Sequence, residues 1–93
     1  MKQNNEDKYY RTTHFDLAIF LFTKGMELAG IVPIDDRRCE FAFIDTPERE
    51  KLVGAFQFGK ENDLSVMVDA RKIIFASKNL KNKLYSVLKD NKK

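Results

Sequence analysis

The fold is decided by residues 26–44, which read MELAGIVPIDDRRCEFAFI. Two runs rich in apolar residues flank a polar turn at residues 35–37, and this order is typical of a β-hairpin. In the second run, alternation places three side chains on one face: Cys39, Phe41 and Phe43. Gly30 and Pro33 weaken the first run, so we expect an edge strand or a bulged strand there.

Helical patterns precede and follow this hairpin. Residues 15–22 are apolar on nearly every side, which predicts a core helix that Thr13 caps. A second helix is predicted over residues 46–58, with Thr46 as its cap. Residues 64–68 alternate as a third strand, and Asp69 then caps a long amphipathic helix. The predicted fold is therefore α+β, in the order α-β-β-α-β-α, with a mainly antiparallel sheet packed against helices.

The length and composition bound the possible classes of protein. Ninety-three residues, 43% of them hydrophobic, suffice for one core and not for two. We expect residues 1–8 to be disordered, residues 9–89 to form a single domain and residues 90–93 to be a basic tail. One cysteine, no signal-like start and no apolar run of ~20 residues predict a cytoplasmic protein that does not enter membranes.

Several short motifs follow one another between residues 10 and 86. They are Tyr10-Arg11-Thr12-Thr13, Leu17-Ala18, Gly25, Phe41-Ala42-Phe43-Ile44-Asp45, Val68-Asp69-Ala70-Arg71, Leu80-Lys81 and Leu84-Tyr85. In their order and spacing the chain resembles a family of small bacterial and phage-encoded domains of unassigned function. At the position of His14 we expect that family to carry an acidic capping residue. The resemblance implies a phage or mobile-element context, hence the cytoplasm of a host cell, and it supplies no activity.

Residues suited to catalysis or metal binding are scarce. A nucleophilic triad or a metal cage draws on several His and Cys side chains, and this chain has one of each. We interpret His14 as a solvent-facing residue of the first helical turn and Cys39 as a core residue. Six acids surround the hairpin: Asp35, Asp36, Glu40, Asp45, Glu48 and Glu50. A Mg²⁺-dependent nuclease is the third-ranked hypothesis, because Phe41-Ala42 follows Glu40 where such a site needs an acid-x-Lys. We therefore predict a non-enzymatic protein without a metal, cofactor or small-molecule substrate.

Positive charge is concentrated in the last quarter of the chain. Residues 69–93 carry a net charge of +6, whereas residues 1–68 carry −3. Projected at about 100° per residue, the third helix has an apolar side formed by Ile73, Ser77, Leu80, Leu84, Val87 and Leu88. On the opposite side, Phe75 and Tyr85 lie among cations. This asymmetry favours an anionic partner.

The outward side of the third helix has the composition of a nucleic-acid contact surface, because cations neutralise phosphates and aromatic rings stack on unpaired bases. The candidate nucleic-acid-binding residues are Arg71, Lys72, Phe75, Lys78, Lys81, Lys83, Tyr85 and Lys89. Two alternatives stay open. In the first, the side is solvated and Tyr9 and Tyr10 cover Phe75; in the second, the side binds a protein. Under the second alternative the domain is a homodimer or an inhibitor of a host factor, anchored by Phe75.

Overall fold

A three-stranded antiparallel sheet and three α-helices form the fold in the computed structural model, which describes residues 8–91. The strands are β1 (Tyr9–Thr12), β2 (Leu28–Pro33) and β3 (Cys39–Ile44), and the α-helices are α1 (Phe15–Thr23), α2 (Arg49–Phe58) and α3 (Ala70–Asn91). A short 3-10 helix, Leu64–Val66, precedes α3. The predicted α+β class is confirmed. The predicted disordered terminus, apart from Lys8, and the last two residues of the predicted tail lie outside the described residues.

The strand order is β1-β3-β2, so β3 is the central strand. Its alternating residues Cys39, Phe41 and Phe43 are buried, as the sequence predicts. β2 is an edge strand, and its pairing with β3 shifts register between Leu28 and Gly30. Both parts of the expectation for this strand are therefore confirmed.

The predicted order of elements is wrong at two places. Residues 9–12 form β1 along the second edge of β3, where Tyr10 pairs with Phe43. Residues 64–68 do not form a strand, because Asp63 directs a tight turn: its Oδ1 accepts hydrogen bonds from the Ser65 backbone N–H at 2.9 Å and from Ser65 Oγ at 2.7 Å. The alternation in this segment has another cause, since Val66 at the end of the 3-10 helix and Val68 after it both pack against the core.

The core lies between the sheet and the helices on one of its faces. α1 packs against α3, and α3 also packs against β2. The largest fully buried side chains come from these elements: Phe41, Phe43, Leu21 and Leu80. α2 is more peripheral, and its inward side chains Leu52, Val53 and Phe56 are only partly buried. Within residues 8–91, no element covers the side of α3 opposite Leu80.

The predicted start of α1 is wrong by one residue. His14, not Thr13, is the N-cap, and its Nδ1 accepts a hydrogen bond from the Leu17 backbone N–H at 3.4 Å. Thr12 Oγ1 in turn accepts from the His14 N–H at 3.0 Å. His14 is exposed, as expected, but it precedes the helix and its ring edge contacts Phe56. An imidazole nitrogen thus provides the hydrogen-bond acceptor for one of the free backbone N–H groups at the start of α1.

The starts of the other two helices test the remaining capping predictions. α2 begins at Arg49 and not at residue 46, and its N-cap Glu48 makes no side-chain capping bond. The carboxylate of Asp45 accounts for the delay, because it accepts hydrogen bonds from the Thr46 N–H and from the Arg49 side chain. Asp69 caps α3 as predicted, with its Oδ1 accepting from the Arg71 N–H at 2.8 Å.

Candidate nucleic-acid interface

α3 is held to the core along one side only. Leu80 and Ala76 are buried there, and Ile73 and Leu84 are partly buried beside them. The helix has 22 residues, so it is about 33 Å long at 1.5 Å per residue. Its inward side chains match the predicted apolar side, to which the structure adds Ala76. The opposite side is consequently a long, straight surface open to solvent.

All eight predicted contact residues are exposed on α3. The side chain of Phe75 is 68% exposed and that of Tyr85 is 59% exposed. The N-terminal tyrosines do not cover Phe75, because Tyr9 and Tyr10 pair with β3. Tyr9 and Tyr10 therefore do not cover Phe75, while a solvated face and a protein contact both stay open as alternatives to nucleic-acid binding.

The eight residues do not share one line along the helix. Six outward residues recur at alternating steps of four and three and define what we call the central strip: Arg71, Phe75, Lys78, Asn82, Tyr85 and Lys89. Lys81 lies about 80° from its centre, whereas Lys72 and Lys83 lie about 100° to 120° away on the other side. Lys83 borders a groove between α3 and the β2 edge. Five of the predicted residues thus belong to the central strip; Lys81 flanks it on one side, and Lys72 and Lys83 lie on the other.

Two residues of this surface were not predicted. Asn82 is exposed near the centre of the strip. Ile74 is 56% exposed and lies about 60° from the centre, next to Phe75 in the chain. The same helical projection that selected Phe75 also places both residues outward, so the signal was present in the sequence.

The charges of the α3 lysines are not neutralised by ion pairs in the described part of the chain. Among residues 8–91, none of Lys72, Lys78, Lys81, Lys83 and Lys89 takes part in an ion pair. Arg71 differs, because its Nε lies 3.6 Å from Asp69 Oδ1. Hydrogen bonding, chiefly from the Arg71 backbone N–H, holds the pKa of Asp69 below its ordinary value, so the cap stays ionised.

Among the residues that the structure describes, three of the six acids around the hairpin pair with arginines. Asp45 receives two bonds from Arg49, Nε to Oδ1 at 3.0 Å and Nη2 to Oδ2 at 3.3 Å, and the Arg49 guanidinium lies 4.6 Å from the centre of the Tyr10 ring. The side-chain hydrogen bond from Arg49 lowers the pKa of Asp45. The other ion pairs of this region are Asp35 with Arg38 and Glu40 with Arg11. Within residues 8–91, no three His, Cys, Asp or Glu side chains form a group that could hold a metal ion.

A second exposed surface, which the sequence did not reveal, lies at the end of α2. We call it the apolar corner, and it comprises Phe58, Leu64 and Met67, of which the first two are 81% and 82% exposed. It adjoins a groove of about 480 Å³ whose lining includes Phe56 and Val66. Periodicity could not find this surface, because its residues belong to a helix end and a 3-10 turn.

These features define a small α+β domain with an open basic and aromatic helix face. Residues 7–86 match the model of the family described as Domain of unknown function (DUF5659), and the chain belongs to that family. Neither the curated proteins nor the solved structures provide a match. The expected membership in a family of unassigned function is confirmed, while its bacterial or phage context stays a prediction. No α-helix within residues 8–91 is long and apolar enough to cross a membrane.

Proposed function

We propose that this domain is a non-enzymatic binding module, of phage or mobile-element type, that contacts nucleic acid in the cytoplasm through the central strip of α3. The observation that carries the proposal is the exposure of Phe75 and Tyr85 beside lysines that form no ion pair within residues 8–91. Exposed rings are costly in water, and unpaired cations are free to replace the counterions of a phosphate backbone.

The charge of α3 supports an anionic partner. Residues 70–91 carry six basic side chains and one acidic side chain, Asp90. Asp90 lies about 100° from the centre of the central strip, so its negative charge does not offset the positive charge of Lys89 on that strip. Long-range attraction by such a surface favours encounter with a polyanion and weakens as salt is added.

The test is a fluorescence anisotropy titration of a labelled 12-nucleotide oligomer, offered both as a single strand and as a duplex. Three central cations, Arg71, Lys78 and Lys89, predict a slope of log affinity against log salt of about −2 to −3. That slope corresponds to a loss of roughly 15- to 60-fold between about 50 and about 200 mM salt. The double variant Lys78→Glu with Lys89→Glu should lose measurable binding to both forms.

A matched control variant makes the same change in net charge, but away from the central strip. Lys51→Glu with Lys60→Glu alters two exposed lysines on α2 and in the loop after it. This variant should lose far less affinity than the α3 variant. Equal losses, or binding that does not respond to salt, would remove α3 as the contact surface.

A protein-interaction module is the second candidate, and the exposed Ile74 and the apolar corner favour it. Apolar surface on a monomer often marks a protein contact. The same measurements on the parent and its variants distinguish this candidate from nucleic-acid binding. A chain that binds neither form of the oligomer, but sediments as a dimer that Phe75→Ser dissociates, would support this candidate over nucleic-acid binding.

A further inference from the structure

The central strip, together with Lys81 beside it, contains a repeated pattern of side chains, and we infer from it that the ligand is a single strand with unpaired bases. Phe75 and Tyr85 each provide a stacking subsite for one base. This inference rests on the proposed function and specifies the form of nucleic acid that the surface takes. DNA and RNA strands share the required chemistry, which is an accessible base face flanked by phosphates.

Each ring lies between two cations, one helical turn away in either direction. Phe75 has Arg71 four residues before it and Lys78 three residues after it. Residues at these separations are neighbours on a helix surface, with Cβ atoms about 5–6 Å apart. A base stacked on Phe75 therefore has Lys78 for one flanking phosphate and Arg71, which also pairs with Asp69, for the other.

Tyr85 repeats this arrangement in the second half of α3. Lys81 lies four residues before it and Lys89 four residues after it, and all three side chains are exposed. The tyrosine ring is less exposed than that of Phe75, yet more than half of the side chain faces solvent. Two stacking subsites of the same composition thus follow one another along one helix.

A duplex does not use these rings. Bases in a duplex are stacked on each other, so a protein reaches their edges and the phosphates but not their faces. A helix that read the major groove would rely on polar groups such as Asn82 and Arg71, and the two rings would gain little contact. On a single strand every base offers a face, and stacking on an aromatic side chain does not depend on sequence.

The separation of the subsites predicts the length of strand required. Phe75 and Tyr85 are ten residues apart, which is about 15 Å along the helix axis. A strand whose bases separate to stack on the rings rises by more than the ~3.4 Å per nucleotide of a stacked helix, so it covers this distance in at most about four steps. Affinity should therefore rise steeply until the oligomer reaches about six nucleotides and more gently beyond that length.

The experiment compares single strands of 4, 6, 8 and 12 nucleotides, as DNA and as RNA, with a 12-base-pair duplex at low salt. The single-stranded 12-mer should bind at least tenfold more tightly than the duplex. Phe75→Ala and Tyr85→Ala should each weaken single-strand binding by roughly 5- to 100-fold and leave duplex binding within about twofold. A difference between the DNA and RNA arms would identify the preferred strand.

Three control variants isolate stacking from folding and from general exposure. Phe75→Tyr and Tyr85→Phe keep a ring and should retain affinity. Phe58→Ala removes an equally exposed ring from the apolar corner and should have no effect on binding. Circular dichroism of each variant establishes that α3 is intact.

The outcomes separate this inference from the proposed function. Equal or tighter duplex binding, or alanine variants that bind like the parent, would overturn the single-strand assignment. If Lys78→Glu with Lys89→Glu then still abolishes binding, the proposed function stands without it. Absence of binding to every oligomer would overturn both.

Discussion

The cations of the sheet region and the cations of α3 differ in how they are used. In the part of the chain that the structure describes, three of the four arginines near the sheet are paired, Arg49 with Asp45, Arg38 with Asp35 and Arg11 with Glu40, and the exception is Arg37 in the hairpin turn. Lysines predominate on α3, and within residues 8–91 none of them forms an ion pair. The planar guanidinium suits fixed, bidentate contacts, whereas the ammonium group of lysine is a flexible point charge. The comparison indicates that the charges of the first region support the structure and that those of the second remain available to a partner.

The two sides of α3 differ in the same way, because one side supports the structure and the other is available to a partner. Leu80 on the inward side is fully buried between α1 and the sheet, while the outward Phe75 and Tyr85 face solvent. A helix fixed so firmly along one side can present the other as a rigid surface. Rigidity matters for recognition, because side chains on an ordered helix lose less freedom when they bind.

The largest expected effect lies on the inward side of α3. Leu80→Ala should lower the free energy of unfolding by about 2–5 kcal/mol, since it removes a fully buried side chain and leaves a cavity. Urea unfolding followed by circular dichroism measures the change. Lys81→Ala, next in the chain and exposed, should change the free energy by less than about 0.5 kcal/mol. Similar costs for the two variants would contradict the division between the two sides of α3.

A smaller effect is expected for the paired charges near the sheet. Asp45→Asn should lower the free energy of unfolding at neutral pH by roughly 0.5–1 kcal/mol, the usual range for a partly exposed pair. The hydrogen bond from Arg49 lowers the pKa of Asp45 in the folded chain. The contribution is therefore present above the ordinary pKa of 3.8 and is lost as the pH falls below it.

Urea unfolding of the parent and of Asp45→Asn at about pH 7 and about pH 2.5 checks this pH dependence. The two proteins should differ at neutral pH and converge in acid. Asp36→Asn is the matched control, because Asp36 is an exposed acid without an ion pair in residues 8–91. A difference that persists in acid would show that Asp45 acts through something other than its charge.

The sequence was informative where a pattern extends over many residues. Strict alternation around Phe41 predicted the central strand, and the helical period around Leu80 predicted the long amphipathic helix and its exposed side. Both patterns arise because buried positions carry apolar residues, and the spacing of those positions indicates a strand or a helix. The exposure of the candidate residues was therefore predictable, even though their division into a central strip and three flanking lysines needed the helix geometry.

The errors occurred where short-range or long-range contacts decide the structure. β1 has only four residues, and its pairing with the distant β3 leaves little local trace. Residues 64–66 form a 3-10 turn because Asp63 captures Ser65, a local hydrogen bond that outweighs the alternating pattern. The apolar corner was missed because the exposure of Phe58 depends on which elements pack beside it.

The smallest expected effect tests whether the α3 lysines carry any structural role. Lys78 and Lys81 are three residues apart, so they repel each other on the helix surface. Lys78→Gln with Lys81→Gln should raise the free energy of unfolding by about 0.2–0.5 kcal/mol while it weakens binding to the single-stranded 12-mer. Urea unfolding and anisotropy measured on the same preparation provide both values, with Lys51→Gln as the control. A fall in stability would place these lysines with the structural charges of the sheet region. A rise together with weaker binding would mean that α3 keeps unpaired charge at the expense of stability, as expected when that charge serves a partner.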